Sequence, residues 1–405
     1  MTDLKDGWCF NAWNLTQITI LPNNPRYSFY DQKFIIGKSS IESDNYDVLV
    51  FCVRNAQSAK IPSFIKHIGN SAFNNCIDLK TIEIPDNSEL QTIGKNAFNC
   101  SSIKSLIIPQ NLAEFKEGWC NCTNYLNSIN VSPENKRYSS YENKFIIGKS
   151  ASDSNDFDDL VFCARNIKNV TIPNFIIHIN SYAFHFALIE NIKIPDHITK
   201  IEKYAFYECQ QLSKIEISKN SEIQEIGKFA FAETSIKCFT FPCHLTKIDK
   251  SAFYNCTFLR KIEIPQNSEL RFIGEETFAL TKIESFELPC HLTKIGKSAF
   301  YQCEDLCRIE ISQNSELQDI GEEAFASTNI EEIIIPSHVK SIGKSAFYQC
   351  LNLHKIKISS NSELQTIGCN AFSKTSIECF CFPSHIKQID ALFNNCLNLQ
   401  IICFD

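Results

Sequence analysis

Residues 259–281 read LRKIEIPQNSELRFIGEETFALT, and residues 283–303 read IESFELPCHLTKIGKSAFYQC. Both run through a short alternation of apolar and polar residues, a proline, a polar turn, then I-G-x-x-[TA]-F. They are two versions of one unit. Phe184, Phe206, Phe231, Phe253, Phe278, Phe300, Phe325, Phe347 and Phe372 mark that unit with spacings of 22 and 25 residues in strict alternation, and Phe73 and Phe98 mark it upstream. A longer and a shorter coil therefore take turns, with a joint period of 47 residues. Recurrence at this scale signals units that cannot bury an apolar face alone and must stack on their neighbours.

Each unit contains a strand such as KIEIP at 261–265 or EIIIP at 332–336. The apolar residues alternate with polar ones, which buries one face and wets the other. Proline has no N–H to give a ladder, so pairing is expected to end there. In IGKSAF the Ile, Ala and Phe are expected to point inward. The residue after that Ile is Gly at Gly94, Gly227, Gly274, Gly296, Gly321, Gly343 and Gly368, and Asn180, Asp249 or Asp390 in three other coils, a set that suits a left-handed backbone, as Glu202 does not.

Strand segments are expected to open at Leu15, Ala56, Leu79, Ile103, Leu126 and Ile167, then every 22 to 24 residues to Leu399. One strand per coil, about 4.8 Å apart, makes a sheet roughly 75 Å long. The steps from Leu15 to Ala56 and from Leu126 to Ile167 are longer and hold related insertions, about 23–54 and 134–165. Residues 1–73 match 112–184 at a constant offset of 111, the mark of a duplicated block. In each insertion KFIIGK and a following DVLVFC or DLVFC are expected to form a hairpin that projects from the coil around a polar tip. Regular alternation then fills 167–405.

With 405 residues the chain has ample surface to bury, and 44% apolar content argues against disorder. A formal charge of −7 gives no footprint for nucleic acid. No apolar run approaches the length that spans a bilayer, and MTDLKDGWCFNAWNL has acidic residues where a signal peptide needs a basic start, so the residues alone read as soluble and intracellular. Twenty cysteines would fit an exported disulfide scaffold, but Cys209, Cys256, Cys303, Cys350 and Cys396 recur once per double repeat, as a small buried side chain would.

The histidines tempt a chemical reading. His197, His244, His291, His338 and His385 stand 47 residues apart, two of them after cysteine in PCHLTKI. Successive members lie two coils apart, about 9–10 Å along the sheet, too far to share a metal whose ligands sit about 2.0–2.3 Å away. They are expected to be repeat residues at the exit of the strand. Nucleophilic chemistry needs one pocket with an orienting group and an oxyanion site, whereas every candidate here recurs in an equivalent coil. Neither an enzyme nor a cofactor is indicated. Asp153, Asn155 and Asp156 begin like a calcium loop, but the glycine and terminal glutamate are missing, so a solvated tip is expected.

The pattern L-x-x-I-x-I-P-x-x-[VI]-x-x-I-G-x-x-A-F-x-x-C, carried by LRKIEIP and HLTKIGKSAFYQC, resembles the BspA-type leucine-rich repeat, and the match extends over nearly the whole chain. The inserted NPRYS…KFIIG…LVF segment is similar to that family's long-repeat variant. The resemblance implies an α/β repeat solenoid: one leucine-rich-repeat superhelix over 1–405 with a continuous parallel sheet of about sixteen short strands and two inserted β-hairpins. It implies a cell-surface or secreted adhesin that binds host matrix or cell-surface proteins, without membrane insertion.

Repeat proteins bind on the concave sheet face, so recognition is expected there. Its variable positions read Lys214/Glu216, Lys261/Glu263, Arg308/Glu310 and Lys355/Lys357 in longer coils, and Glu332/Ile334 and Cys379/Cys381 in shorter ones. Ile334, Lys357, Cys381 and Cys403 are expected to form a contact patch, with Cys381 and Cys403 in one column at disulfide distance. The chain closes on strand IICF, an edge open to end-to-end self-association. Two functions remain: an adhesion protein, or an intracellular leucine-rich-repeat scaffold.

Overall fold

The computed structural model describes residues 4, 8–9, 12–40, 42–151, 154–312, 314–359, 361–384 and 386–404. The chain forms two compact units, one of Met1–Lys168 with Asn180–Leu188, the other of Asn169–Ile179 with Ile189–Asp405. Each is a stack of the coils anticipated above.

Each coil carries two strands rather than one. The expected strand forms at every anticipated place except Leu15, for instance Lys261–Glu263 and Ser285–Leu288. A second strand of only two residues follows one turn later, as at Phe272–Ile273 and Lys294–Ile295. The second strands carry the continuous ladder. In the larger unit they pair in parallel without a break from His178–Ile179 to Gln388–Ile389. In the smaller they run from Val48–Cys52 through His67–Ile68 and Thr92–Ile93 to Glu114–Phe115.

The anticipated sheet, by contrast, is interrupted. Ser285–Leu288 pairs with Arg308–Ile311, and Glu332–Ile335 with Lys355–Ile358, but Arg308–Ile311 does not pair with Glu332–Ile335. The difference is one residue. Ser285 to Arg308 is a step of 23 (308 − 285), whereas Arg308 to Glu332 is a step of 24 (332 − 308). The same holds at Lys214 to Cys238 and Lys261 to Ser285, both 24 and both unpaired. The continuous sheet of the sequence reading is therefore a series of short ladders.

No helix occurs among the described residues, so the solenoid has no α layer. The stretch after each Ile–Gly carries two left-handed residues four apart, such as Glu276 (φ 54°) and Leu280 (φ 62°), or Ser298 (φ 52°) and Gln302 (φ 54°). A helix needs consecutive right-handed residues, so it cannot propagate. Alternate amides instead donate to the next coil: Glu276 N–H to the Lys297 carbonyl at 2.8 Å, Phe278 to Ala299 at 2.8 Å and Leu280 to Tyr301 at 2.9 Å. Those between close tight turns within the coil, as when Ala279 N–H meets the Glu276 carbonyl at 3.2 Å. The glycine itself is not left-handed, contrary to expectation. It makes room: a Cβ on Gly296 would lie 2.5 Å from the Gly274 carbonyl carbon and 2.6 Å from its oxygen.

The interior is a column of rings. Phe253, Phe278, Phe300, Phe325 and Phe347 are fully buried, with successive centroids 5.2–5.4 Å apart, as 5.4, 5.3, 5.2 and 5.4 Å. Beside it runs a column that alternates Thr and Cys. The Cys303 thiol donates to the Phe278 carbonyl at 3.0 Å and lies 3.3 Å from Thr281 Oγ1, which donates to the same carbonyl at 2.8 Å. Burial pushes the Cys256 thiol up to about 11 and that of Cys303 to about 12. These thiols are packing groups that satisfy a carbonyl. The NSEL run of the longer coil is also explained: the buried Ser315 hydroxyl accepts the Leu317 N–H at 3.2 Å, closing the turn after the strand.

The expected hairpin forms in both insertions, Phe34–Gly37 against Val48–Cys52 and Phe145–Gly148 against Asp159–Cys163, but a third strand precedes it. Each insertion is a three-stranded antiparallel meander: Tyr27–Tyr30, Phe34–Gly37 and Val48–Cys52 in the first copy, Tyr138–Tyr141, Phe145–Gly148 and Asp159–Cys163 in the second. In the first copy the last strand joins the parallel ladder through His67–Ile68, so the insertion extends the sheet. At its tip Asp47 accepts the Ser39 N–H at 2.8 Å and the Ser39 hydroxyl at 2.7 Å. Asp158 does the same for Ser150 in the second copy. Asp153 lies outside the described residues.

Candidate interaction face

The wet side of the first strands is the face on which recognition was expected. Lys214, Glu216, Lys261, Glu263, Arg308, Glu310, Ile334, Lys355, Lys357 and Cys381 are all exposed there, and Cys403 is half-buried. The charges are paired mostly along single strands rather than across coils. Lys214 Nζ lies 2.6 Å from Glu216, Lys261 Nζ 2.7 Å from Glu263, and Arg308 Nε 3.3 Å from Glu310. Residues i and i+2 share one face of a strand, which is why these partners meet. The Lys214 ammonium holds the Glu216 carboxyl below its ordinary range, and Lys261, with the Thr240 hydroxyl, does so for Glu263. Such exposed pairs add little stability.

The proposed patch divides in two. Ile334 stands opposite Lys357 on paired strands, and Lys355 reaches back to Glu332 at 3.6 Å. Cys381 stands opposite Cys403, and the two form a disulfide with a Cα separation of 4.4 Å. Between the halves lies an unpaired 24-residue step, Lys355 to Cys379 (379 − 355). The face turns apolar toward the last strand, where Ile401, opposite Cys379, is 58% exposed.

The feature that sequence reasoning missed sits in the preceding unpaired step. An open cavity of about 550 Å³ lies where Arg308–Ile311 parts from Glu332–Ile335, bordered by Arg308, Glu310, Glu331, Glu332, Ile334 and His354. Its signal was present as the spacing of 24 rather than 23, without a rule that gave the extra residue meaning.

The histidines do not converge. His244 Nδ1 is 3.3 Å from Glu269 Oε1, and His291 Nδ1 is 3.0 Å from Glu316 Oε1, each pair joining a shorter coil to the next longer one. His197 Nε2 meets the Ile176 carbonyl at 2.7 Å, and His338 lies against Ser337. His385 lies outside the described residues. Their spacing follows from the coil, and no cluster of metal-ligating residues occurs among the described residues.

Comparison with known proteins agrees with this geometry. A leucine-rich repeat protein from Bacteroides ovatus ATCC 8483 shares 22% identity over 95% of this chain and 99% of its own, with a TM-score of 0.54. Another from Eubacterium ventriosum ATCC 27560 shares 19% identity over 83% of this chain and 81% of its own, with a TM-score of 0.51. Likeness at these identities establishes the fold. No curated protein matches the sequence. The family model described as a BspA type leucine rich repeat region (6 copies) matches residues 25–145, 155–272 and 271–400. With most of its length matched, and the coils built as described, the chain belongs to the BspA-type leucine-rich repeat family.

Proposed function

We propose that this chain is a non-catalytic binding protein of the adhesion type that presents the wet face of its first strands to a protein partner. The observation that carries the reading is the change along that face, from self-neutralised Lys–Glu pairs at Lys214 and Lys261 to exposed Ile334 (52%) beside Lys357. A cation whose nearest opposite strand position is apolar keeps its charge for a partner, and an exposed apolar side chain beside it adds desolvation energy. Host matrix or cell-surface protein is the partner class that the family resemblance supports.

The double variant Lys355→Glu, Lys357→Glu tests this. Both side chains are exposed, so the fold should stand, while reversed charges oppose the encounter. Capture by an immobilised basement-membrane preparation should fall about tenfold or more. Binding equal to that of the unaltered chain contradicts the proposal. End-to-end pairing of two copies along Ile401–Phe404 belongs to the same reading, and light scattering on the same samples reads it. An intracellular scaffold is the second reading, favoured by the many cysteines present as thiols. Labelling of intact cells with a membrane-impermeant reagent separates the two.

A further inference from the structure

The thiols of the smaller unit divide into two kinds. Most are buried, as at Cys52, Cys76 and Cys120. Cys100 and Cys122 are half-exposed and stand alike in successive coils. Each occupies the second left-handed position of its coil, with φ of 52° and 53°. Elsewhere that position holds residues such as Asn75, Glu208, Gln302 and Gln349. Only here among the described coils do cysteines occupy two consecutive rungs of this column.

The rungs are tied directly. Cys100 N–H donates to the Asn121 carbonyl at 3.0 Å, which fixes Cys122 as the next residue beside Cys100. The sequence separation is 22 (122 − 100), the same as for Cys381 and Cys403, which are already joined in the structure. The Cys122 thiol donates to Asn121 Oδ1 at 3.7 Å, and as the neighbour on the next rung it acts on the Cys100 side chain. Chiefly for that reason the Cys100 thiol is lowered to about 7, helped by Asn99 and opposed by partial burial. The Thr–Cys column is the contrast: there Cys256, Cys303 and Cys350 each have a threonine on the adjacent rung, a carbonyl to satisfy and no route to solvent.

We infer that Cys100 and Cys122 form a thiol–disulfide switch that locks two neighbouring coils together by exchange with a small disulfide of the glutathione type. The Cys100 thiolate attacks one sulfur of the oxidant, forming a mixed disulfide and releasing one small thiol. The Cys122 thiolate then attacks Cys100 Sγ, closing the coil-to-coil disulfide and expelling the second small thiol. Two cysteine thiols are oxidised, one small disulfide is reduced to two thiols, and both protons pass to the departing thiolates. The bond would close without moving either backbone out of its ladder, since the Cys100–Asn121 hydrogen bond already sets the rungs in register.

The test is to equilibrate the full chain in graded mixtures of reduced and oxidised glutathione, quench with acid, alkylate and map disulfides by mass spectrometry. The expected product under oxidising mixtures is a peptide pair linked through Cys100 and Cys122, lost again as reduced glutathione rises. In Cys122→Ser, Cys100 should accumulate as a stable glutathione adduct. In Cys100→Ser, modification at this site should be severalfold slower near neutral pH, because the lowered Cys100 thiol that starts the exchange is gone. Independent glutathionylation of both residues in the unaltered chain, with no internal link at any mixture, overturns the inference without recourse to either variant.

Discussion

Phe300→Ala is expected to destabilise the larger unit by about 3–5 kcal/mol, the range for deleting a fully buried aromatic ring. Phe300 has no exposed surface, stacks 5.3 Å from Phe278 and 5.2 Å from Phe325, and meets Phe286 edge-on at 5.0 Å. Its neighbours cannot collapse into the vacated space, because coil spacing is set by backbone bonds on both sides: Phe300 N–H to Ala324 at 2.7 Å and Gly296 N–H to Ile273 at 2.8 Å. The cost should therefore sit at the upper part of the range rather than be relieved by repacking. Denaturant unfolding monitored by fluorescence or circular dichroism reads it as a lower midpoint at unchanged slope. Phe258→Ala is the control, since that ring is 56% exposed and should change stability by no more than about 0.5 kcal/mol.

Gly296→Ala should cost about 1–3 kcal/mol by overpacking. The added methyl would press on the backbone of Gly274, which belongs to the preceding coil and cannot turn aside as a flexible side chain would. A second substitution separates this cause from a turn requirement. If Gly296 served a left-handed turn, Asn would be tolerated better than Ala, since Asn accepts that conformation more readily. Close approach predicts the reverse: Gly296→Asn should be at least as damaging as Gly296→Ala in the same unfolding measurement. A milder effect for Asn would return the glycine to the role first read from the sequence.

What was legible was whatever the coil repeats. The Phe column, the alternating 22 and 25 spacings and the inward Ile residues follow from volume and periodicity, and they determine the stack. The pairing of Cys381 with Cys403 was legible for the same reason, since one column on adjacent rungs must bring like residues together. The histidines yielded to the argument as well: His244 and His291 each meet a glutamate one coil on, so their spacing is inherited.

The misses have physical causes. Two-residue strands such as Lys294–Ile295 are too short to display a period, so the ladder that is continuous was invisible. The first hairpin of each insertion turns through Asp31–Gln32 or Glu142–Asn143, all with positive φ. The glycine that usually advertises such a turn is absent from both. The absent helix layer rests on left-handed residues as unlike as Glu276, Leu280 and Ser298, whose conformation is imposed by the neighbouring coil rather than by their own preference. The cavity beside Arg308 and Ile334 arises from one extra residue in a step, a difference of spacing whose effect on pairing only the assembled coils disclose.

Amide hydrogen exchange resolved to single residues tests the stacking of coils most directly. The amides of Phe253, Phe278, Phe300 and Phe325 donate to the following coil at 2.7–2.9 Å (2.9, 2.8, 2.7 and 2.8 Å), and those of Gly274, Gly296, Gly321 and Gly343 to the preceding one at 2.8–3.0 Å (2.8, 2.8, 3.0 and 2.8 Å). Slow exchange should recur at these residues with the 22 and 25 spacing of the sequence. Exchange there as fast as at the exposed tip around Ser43, or protection in blocks without that spacing, would contradict the in-register stack on which every reading of this protein depends.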